Sequence, residues 1–138
     1  MSEALNALAS RDMTAAEVSR HLTRKGFDAE SIAATVSELA QHGLVQDERT
    51  AGFVVEEVRT SRFKGRLAAA EKLEKRGVDA RVAVDALAEL DPAQDRLKAI
   101  ALLRSKSWKN LAQAARALAA TAATPDVARR AVHRVRVR

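Results

Sequence analysis

Leu22-Thr-Arg-Lys-Gly-Phe-Asp28 returns, 51 residues further on, as Leu73-Glu-Lys-Arg-Gly-Val-Asp79. Each copy reads as a helix closing in basic residues, a Gly, an apolar residue, and an Asp that can open the next helix. Gly26 and Gly77 suit the left-handed position just past a helix end, where a side chain would clash. Phe27 and Val78 can then fold back onto the last turn. Asp28 and Asp79 can accept hydrogen bonds from the unpaired amides of the helix that follows. Further along, Val36 and Leu39 fall where Leu87 and Leu90 fall. A third, worn copy places Leu118 at the position of Leu73, Thr124-Pro125 at that of Asp79-Ala80, and Val132 and Val135 at those of Leu87 and Leu90. There Ala122 replaces the Gly, while Pro125 suits a first helical position because no amide partner is needed.

Working outward from this repeat predicts nine helices in three groups: 2–10, 15–25 and 29–41; 48–61, 65–76 and 80–90; 92–106, 109–121 and 125–136. Thr14 and Glu17 have capping-box spacing; Asp47 and Asp91-Pro92 mark entry to the second and third groups. The expected fold class is all-α, with three tandem three-helix repeats (1–46, 47–90 and a degenerate 91–138) forming an elongated, curved helical rod. Helices this short are marginal alone and must each bury an apolar stripe. Leu5, Leu8, Val18, Leu22, Ile32, Val36 and Leu39 supply the first; Leu97, Ile100, Ala101, Trp108, Leu111, Leu118, Val132 and Val135 supply the third, with Trp108 as a core or junction anchor.

Composition agrees. The chain has 138 residues, 47% hydrophobic and 30% charged, with only 3% aromatic, so a folded, Ala-rich helical protein is expected rather than a disordered one. Without Cys, disulfides and thiolate metal sites are excluded. No apolar run of membrane-spanning length and no signal pattern is present, so a soluble, cytoplasmic protein with no membrane partner is expected. His21, His42 and His133 lack ligand spacing, and no phosphate loop, nucleophile elbow or zincin pair occurs. Neither enzymatic activity nor a cofactor is expected.

Charge is unevenly spread. Residues 1–47 hold 4 basic and 7 acidic side chains, residues 48–104 hold 12 and 10, and residues 105–138 hold 8 and 1, within an overall +6. A basic end can attract a polyanion, either nucleic acid or an acidic protein groove; a solubilising surface ending in Arg134-Val-Arg-Val-Arg138 explains the same asymmetry.

Several stretches together resemble the RecX family of bacterial recombinase regulators. They are Ala4-Leu5, Leu8-Ala9, Glu17-Val18 with Leu22, Lys25-Gly26-Phe27-Asp28, Leu39, Gly43-Leu44-Val45-Gln46-Asp47-Glu48-Arg49, Phe53-Val54, Arg59 and Leu73 to Asp79. The likeness is specific over residues 4–90 and loose in the third copy. It departs from the family at Gln46, where a second acidic residue is usual, and at Thr50, where an aromatic is common and Phe53 is expected to compensate. The turn Phe63-Lys-Gly-Arg66 is a reduced form of the family's glycine-rich turn. The resemblance implies tandem three-helix repeats and a non-enzymatic role: binding the groove of a RecA filament on DNA and limiting its growth, recombination and coprotease activities.

Among basic residues, Arg24-Lys25 and Lys75-Arg76 sit at equivalent helix C-termini, where the helix dipole alone favours positive charge. Arg59, Arg62, Lys64 and Arg66 form a denser cluster around a turn with Phe63, able to grip phosphates or an acidic filament groove. Lys106, Lys109, Arg116, Arg129, Arg130 and Arg134 extend this into the third repeat. The expected partner-binding residues are thus Arg59, Arg62, Lys64, Arg66, Lys75, Arg76, Arg129 and Arg130, facing a RecA filament with non-specific, salt-dependent DNA contact. No helix combines Arg, Asn and Gln on one face for reading bases. A basic DNA-binding module, or a diverged helical interaction scaffold, stands as the alternative.

Overall fold

A computed structural model describes residues 1–105 and 111–120, and in these residues the chain is helical throughout, with no strand. Eight helices follow in order: α1 (Ser2–Ser10), α2 (Ala15–Arg24), α3 (Ala29–Gln41), α4 (Asp47–Thr60), α5 (Arg66–Lys75), α6 (Ala80–Leu87), α7 (Pro92–Ser105) and α8 (Leu111–Ala120). The ninth expected helix, 125–136, lies outside the described residues, as do Trp108, Arg129, Arg130 and the arginine tail.

The repeated motif folds as its chemistry requires. Gly26 and Gly77 take φ of 90° and 72°. Beyond them the Phe27 and Val78 amides reach back to the carbonyls of Leu22 and Leu73 at 3.2 and 3.0 Å, the Schellman closure of a helix end. Gly43, with φ 68°, closes α3 the same way through Leu44 and Leu39. Asp28 caps α3 at Ser31, Asp79 caps α6 at Arg81 and Val82, and Thr14 with Glu17 completes a capping box on α2.

The helices enclose three separate apolar cores, one for each group of helices. Ala4, Met13, Val18, Leu22, Ile32, Leu39 and Val45 form the first. Ala51, Val54, Val55, Val58, Ala69, Leu73, Val78 and Leu90 form the second, and Ala99, Ile100, Leu102, Leu103, Ala114 and Leu118 the third. Leu22, Leu73 and Leu118, equivalent by repeat alignment, are all buried. Helix pairs in extensive contact belong to the same group: α2 with α1 and α3, α4, α5 and α6 with one another, and α7 with α8. Each group is thus a small packing unit of its own.

Several expectations are corrected. Leu5 and Leu97 are exposed, and Ala4 and Ala99 are buried instead, because a short helix buries only a narrow stripe. Phe27 stays half exposed while its counterpart Val78 is buried: Val78 sits at a junction between groups and joins the second core. Phe53 does not compensate for Thr50. It is 57% exposed, whereas Thr50 is buried in α4 with its hydroxyl unpaired among the described residues. Asp47 is not the cap of α4 but its first residue, following Gln46. Its carboxylate is directed elsewhere.

Candidate functional site

Apart from Phe63, which packs on the third core, what joins the three groups is polar. At the first junction the N-terminus of α2 meets the C-terminus of α5. The Thr14 hydroxyl, itself a cap for the Glu17 amide, donates to the Arg76 carbonyl at 2.7 Å. The Arg76 guanidinium returns to Glu17 at 2.9 Å and to the Asp12 carbonyl at 3.1 Å. One Asp47 carboxylate oxygen accepts from the Ala15 amide and the other from Asp79, both at 3.0 Å, so a single side chain pairs amides of two groups. Gly77 touches this seam: a Cβ there would lie 2.6 Å from that of Ala16.

The second junction has the same character. Asp95 of α7, with only 8% of its side chain exposed, accepts from the Arg66 amide at 3.0 Å and from Arg66 Nε at 2.8 Å. It thereby caps α5, whose N-cap residue Gly65 has no side chain to do so. Lys98 donates to the carbonyls of Val58 at 2.5 Å and Lys64 at 2.8 Å, placing a cation at the negative end of α4. Burial pushes the Lys98 ammonium below its usual 10.5, against the attraction of Asp95.

These joints redistribute the sequence-predicted cations. Arg59, Arg62, Lys64 and Arg66 do not line one common groove. Arg59 pairs with Glu56, and with Arg66 it lines a groove of about 310 Å³ against α7, where Glu89, Asp91 and Asp95 balance the charge. Arg62 lies over the Phe63 ring, 5.1 Å from its centre, while Phe63 packs on the third core. Lys64 turns to a different groove, where it joins Lys75 and Arg76.

That groove, about 640 Å³, lies between α2 and α5. Helix α2 contributes Arg20 and Arg24, and α5 contributes Lys72, Lys75 and its C-cap Arg76. Arg11 and Lys64 come from the neighbouring turns, and among the described residues Glu17, Glu57 and Glu71 oppose these seven cations. Two carboxylates hold four of the cations. Glu17 pairs with Arg76 and, at 3.4 Å, with Arg11; Glu57 pairs with Lys72 at 2.6 Å and Lys64 at 3.5 Å. Burial raises the Glu17 carboxyl, but the Thr14 amide, Arg76 and Arg11 outweigh it and hold it below the usual 4.5. Hydrogen bonding from Lys72, aided by Lys64, likewise keeps Glu57 low. Arg20, Arg24 and Lys75 have no ionic partner among the described residues. Met13, Val58 and Ala68 supply its apolar lining.

Sequence reasoning found Lys64, Lys75 and Arg76 but passed over Arg11, Arg20 and Lys72, and credited Arg24 to the helix dipole. The signal was present in part: Arg20 and Arg24, four apart on α2, share a face. Their meeting with α5 required the junction. Among the described residues no group of His, Asp or Glu could hold a metal ion, and no helix is long and apolar enough to cross a membrane.

Comparison with known proteins follows the same lines. The family model described as RecX, first three-helix domain, matches residues 1–39. The regulatory protein RecX of Mycolicibacterium smegmatis is 38% identical over 102 residues, covering 74% of this chain and 54% of that protein. The Amycolatopsis mediterranei protein of the same name is 34% identical over 99 residues, covering 72% and 57%. The chain therefore spans about half the length of the curated relatives it matches. The crystal structure of RecX from Lactobacillus salivarius superposes with a TM-score of 0.75 at 22% identity, covering 98% of this chain and 93% of that one. A second crystal structure, of regulatory protein RecX, gives 0.73 at 18% identity, covering 91% and 67%. By sequence and by fold, this chain belongs to the RecX family of regulatory proteins.

Proposed function

We propose that this chain is a non-enzymatic, cytoplasmic regulator that binds RecA filaments on DNA and limits their extension, and with it recombination and coprotease activity. Three units, 1–46, 47–90 and 91–138, would lie along the filament. Family membership supports the regulatory role, and the α2–α5 groove supports the mode of attachment. Arg20, Arg24 and Lys75 converge there without counterions among the described residues, and a filament on DNA is a strongly anionic target. Lys64 and the exposed Arg62 would add to the docking surface, with Arg129 and Arg130 extending it. Arg59 would contribute from the neighbouring groove, while Arg66 and Arg76 mainly hold the units together.

ATP hydrolysis and strand exchange by the Mycolicibacterium smegmatis RecA, titrated with this protein, test the reading. Both reactions should slow at saturation. The Arg24→Glu/Lys75→Glu variant should need at least about tenfold more protein for the same effect, since close charge pairs at interfaces are worth a kcal/mol or more each. No effect of the unaltered protein at saturation sinks the proposal.

A further inference from the structure

Glu17 and Glu57 occupy their groove in an unusual way. Each carboxylate holds two cations drawn from different elements: Glu17 of α2 takes Arg11 and Arg76, and Glu57 of α4 takes Lys64 and Lys72. Glu17 is tied into the fold, for it also completes the α2 capping box and only 10% of its side chain is exposed. Glu57 is not. It is 45% exposed, caps nothing, and its two lysines are themselves about half exposed. It is an internal anion resting on cations that an external anion could use.

We propose that the α2–α5 groove takes the phosphodiester backbone of a nucleic acid strand, and that Glu57 restrains its grip by holding Lys64 and Lys72 away from the strand. This rests on the docking role given to the groove above and names its ligand. Nucleic acid fits better than an acidic protein surface because the described lining of the groove is rich in cations and holds no aromatic side chain. Val58 and Met13 are buried, leaving Ala68 as the partly exposed apolar residue of the described lining, and no aromatic is among the described residues that line it. Protein interfaces draw their affinity from desolvated aromatic and apolar anchors at their centre. A phosphodiester chain needs only cations, whose counterions it releases. With no aromatic among the described lining residues to stack a base, binding through them should be indifferent to sequence.

Anisotropy titrations of a labelled oligothymidylate, with RecA absent and salt varied between about 50 and 200 mM, test this. Three free cations give a log–log salt slope of about −2, at roughly 0.7 per contact with single strands. Releasing Lys64 and Lys72 in Glu57→Gln should steepen the slope to about −3.5 and tighten low-salt binding about three- to tenfold. Adding Lys64→Gln and Lys72→Gln to that variant should return the slope to the original value. An unchanged slope in Glu57→Gln overturns the restraint. Unchanged binding in Arg24→Glu/Lys75→Glu overturns the groove as the strand's seat, and if that variant fails only in binding DNA-free RecA, the ligand is protein. RecA assays that fail while the oligothymidylate results hold would remove the regulator reading and leave this one standing.

Discussion

Gly26 and Gly77 show how one motif residue serves two different demands. Both occupy the left-handed region, so any side chain there costs about 1–2 kcal/mol. At Gly26 nothing lies within 4 Å of a built Cβ, whereas at Gly77 the Ala16 methyl is 2.6 Å away. Gly26→Ala should therefore lower stability by about 1–2 kcal/mol, from backbone strain alone. Gly77→Ala should lose a further ~1–3 kcal/mol, as overpacking does, by prising α2 from α5. Urea unfolding of the two variants checks this; equal losses would mean that Ala16 yields without resistance. The two positions look identical in the repeat alignment. Their difference comes from a contact 61 residues away in sequence, which local pattern does not encode.

At the level of the element, capping divides into what each helix does for itself and what its neighbours do for it. Helices α2, α3 and α6 carry their own caps in Thr14, Asp28 and Asp79, all legible from spacing. Helix α5 begins at Gly65-Arg66 without one, and the missing acceptor is Asp95 from the next unit. A Cβ on Gly65 would lie 2.8 Å from the Asp95 carboxylate, so the absent side chain is what admits it. Asp95→Ala should cost about 1–3 kcal/mol, the penalty for leaving a partly buried amide and guanidinium unpaired. Asp95→Asn, which keeps an acceptor for the Arg66 amide, should recover part of that loss. Thermal melts of the pair distinguish a cap from a mere charge, since a purely electrostatic role would leave Asn as damaging as Ala. From sequence, Asp95 is one acidic residue in the first turn of α7; nothing in that position names its partner.

Across the whole molecule, separate apolar cores are tied at their junctions by hydrogen bonds and ion pairs, which makes the joints sensitive to pH. Glu17, held below its usual 4.5 when folded, stabilises the native state fully above that value. That contribution disappears as pH falls from about 4.5 through the lower folded value. Stability measured from pH 6 to pH 3 should therefore fall more steeply for the unaltered protein than for Glu17→Gln, with the two curves converging in acid. Parallel curves would show that the joint does not depend on the Glu17 charge. From the sequence by itself came the helical class, the repeat, the helix-closing glycines, most of the self-capping residues, and the family. All of these rest on local geometry, where backbone angles, 3.6-residue periodicity and neighbouring amides act within a few residues. The tertiary structure alone decided which cations stand free. Arg20, Arg24 and Lys75 line the groove between α2 and α5 with no ionic partner among the described residues, while Arg66 and Arg76 are consumed in holding the units together. Charge acts through space rather than along the chain, so a count of arginines and lysines becomes a binding surface only once the fold has paired some of them.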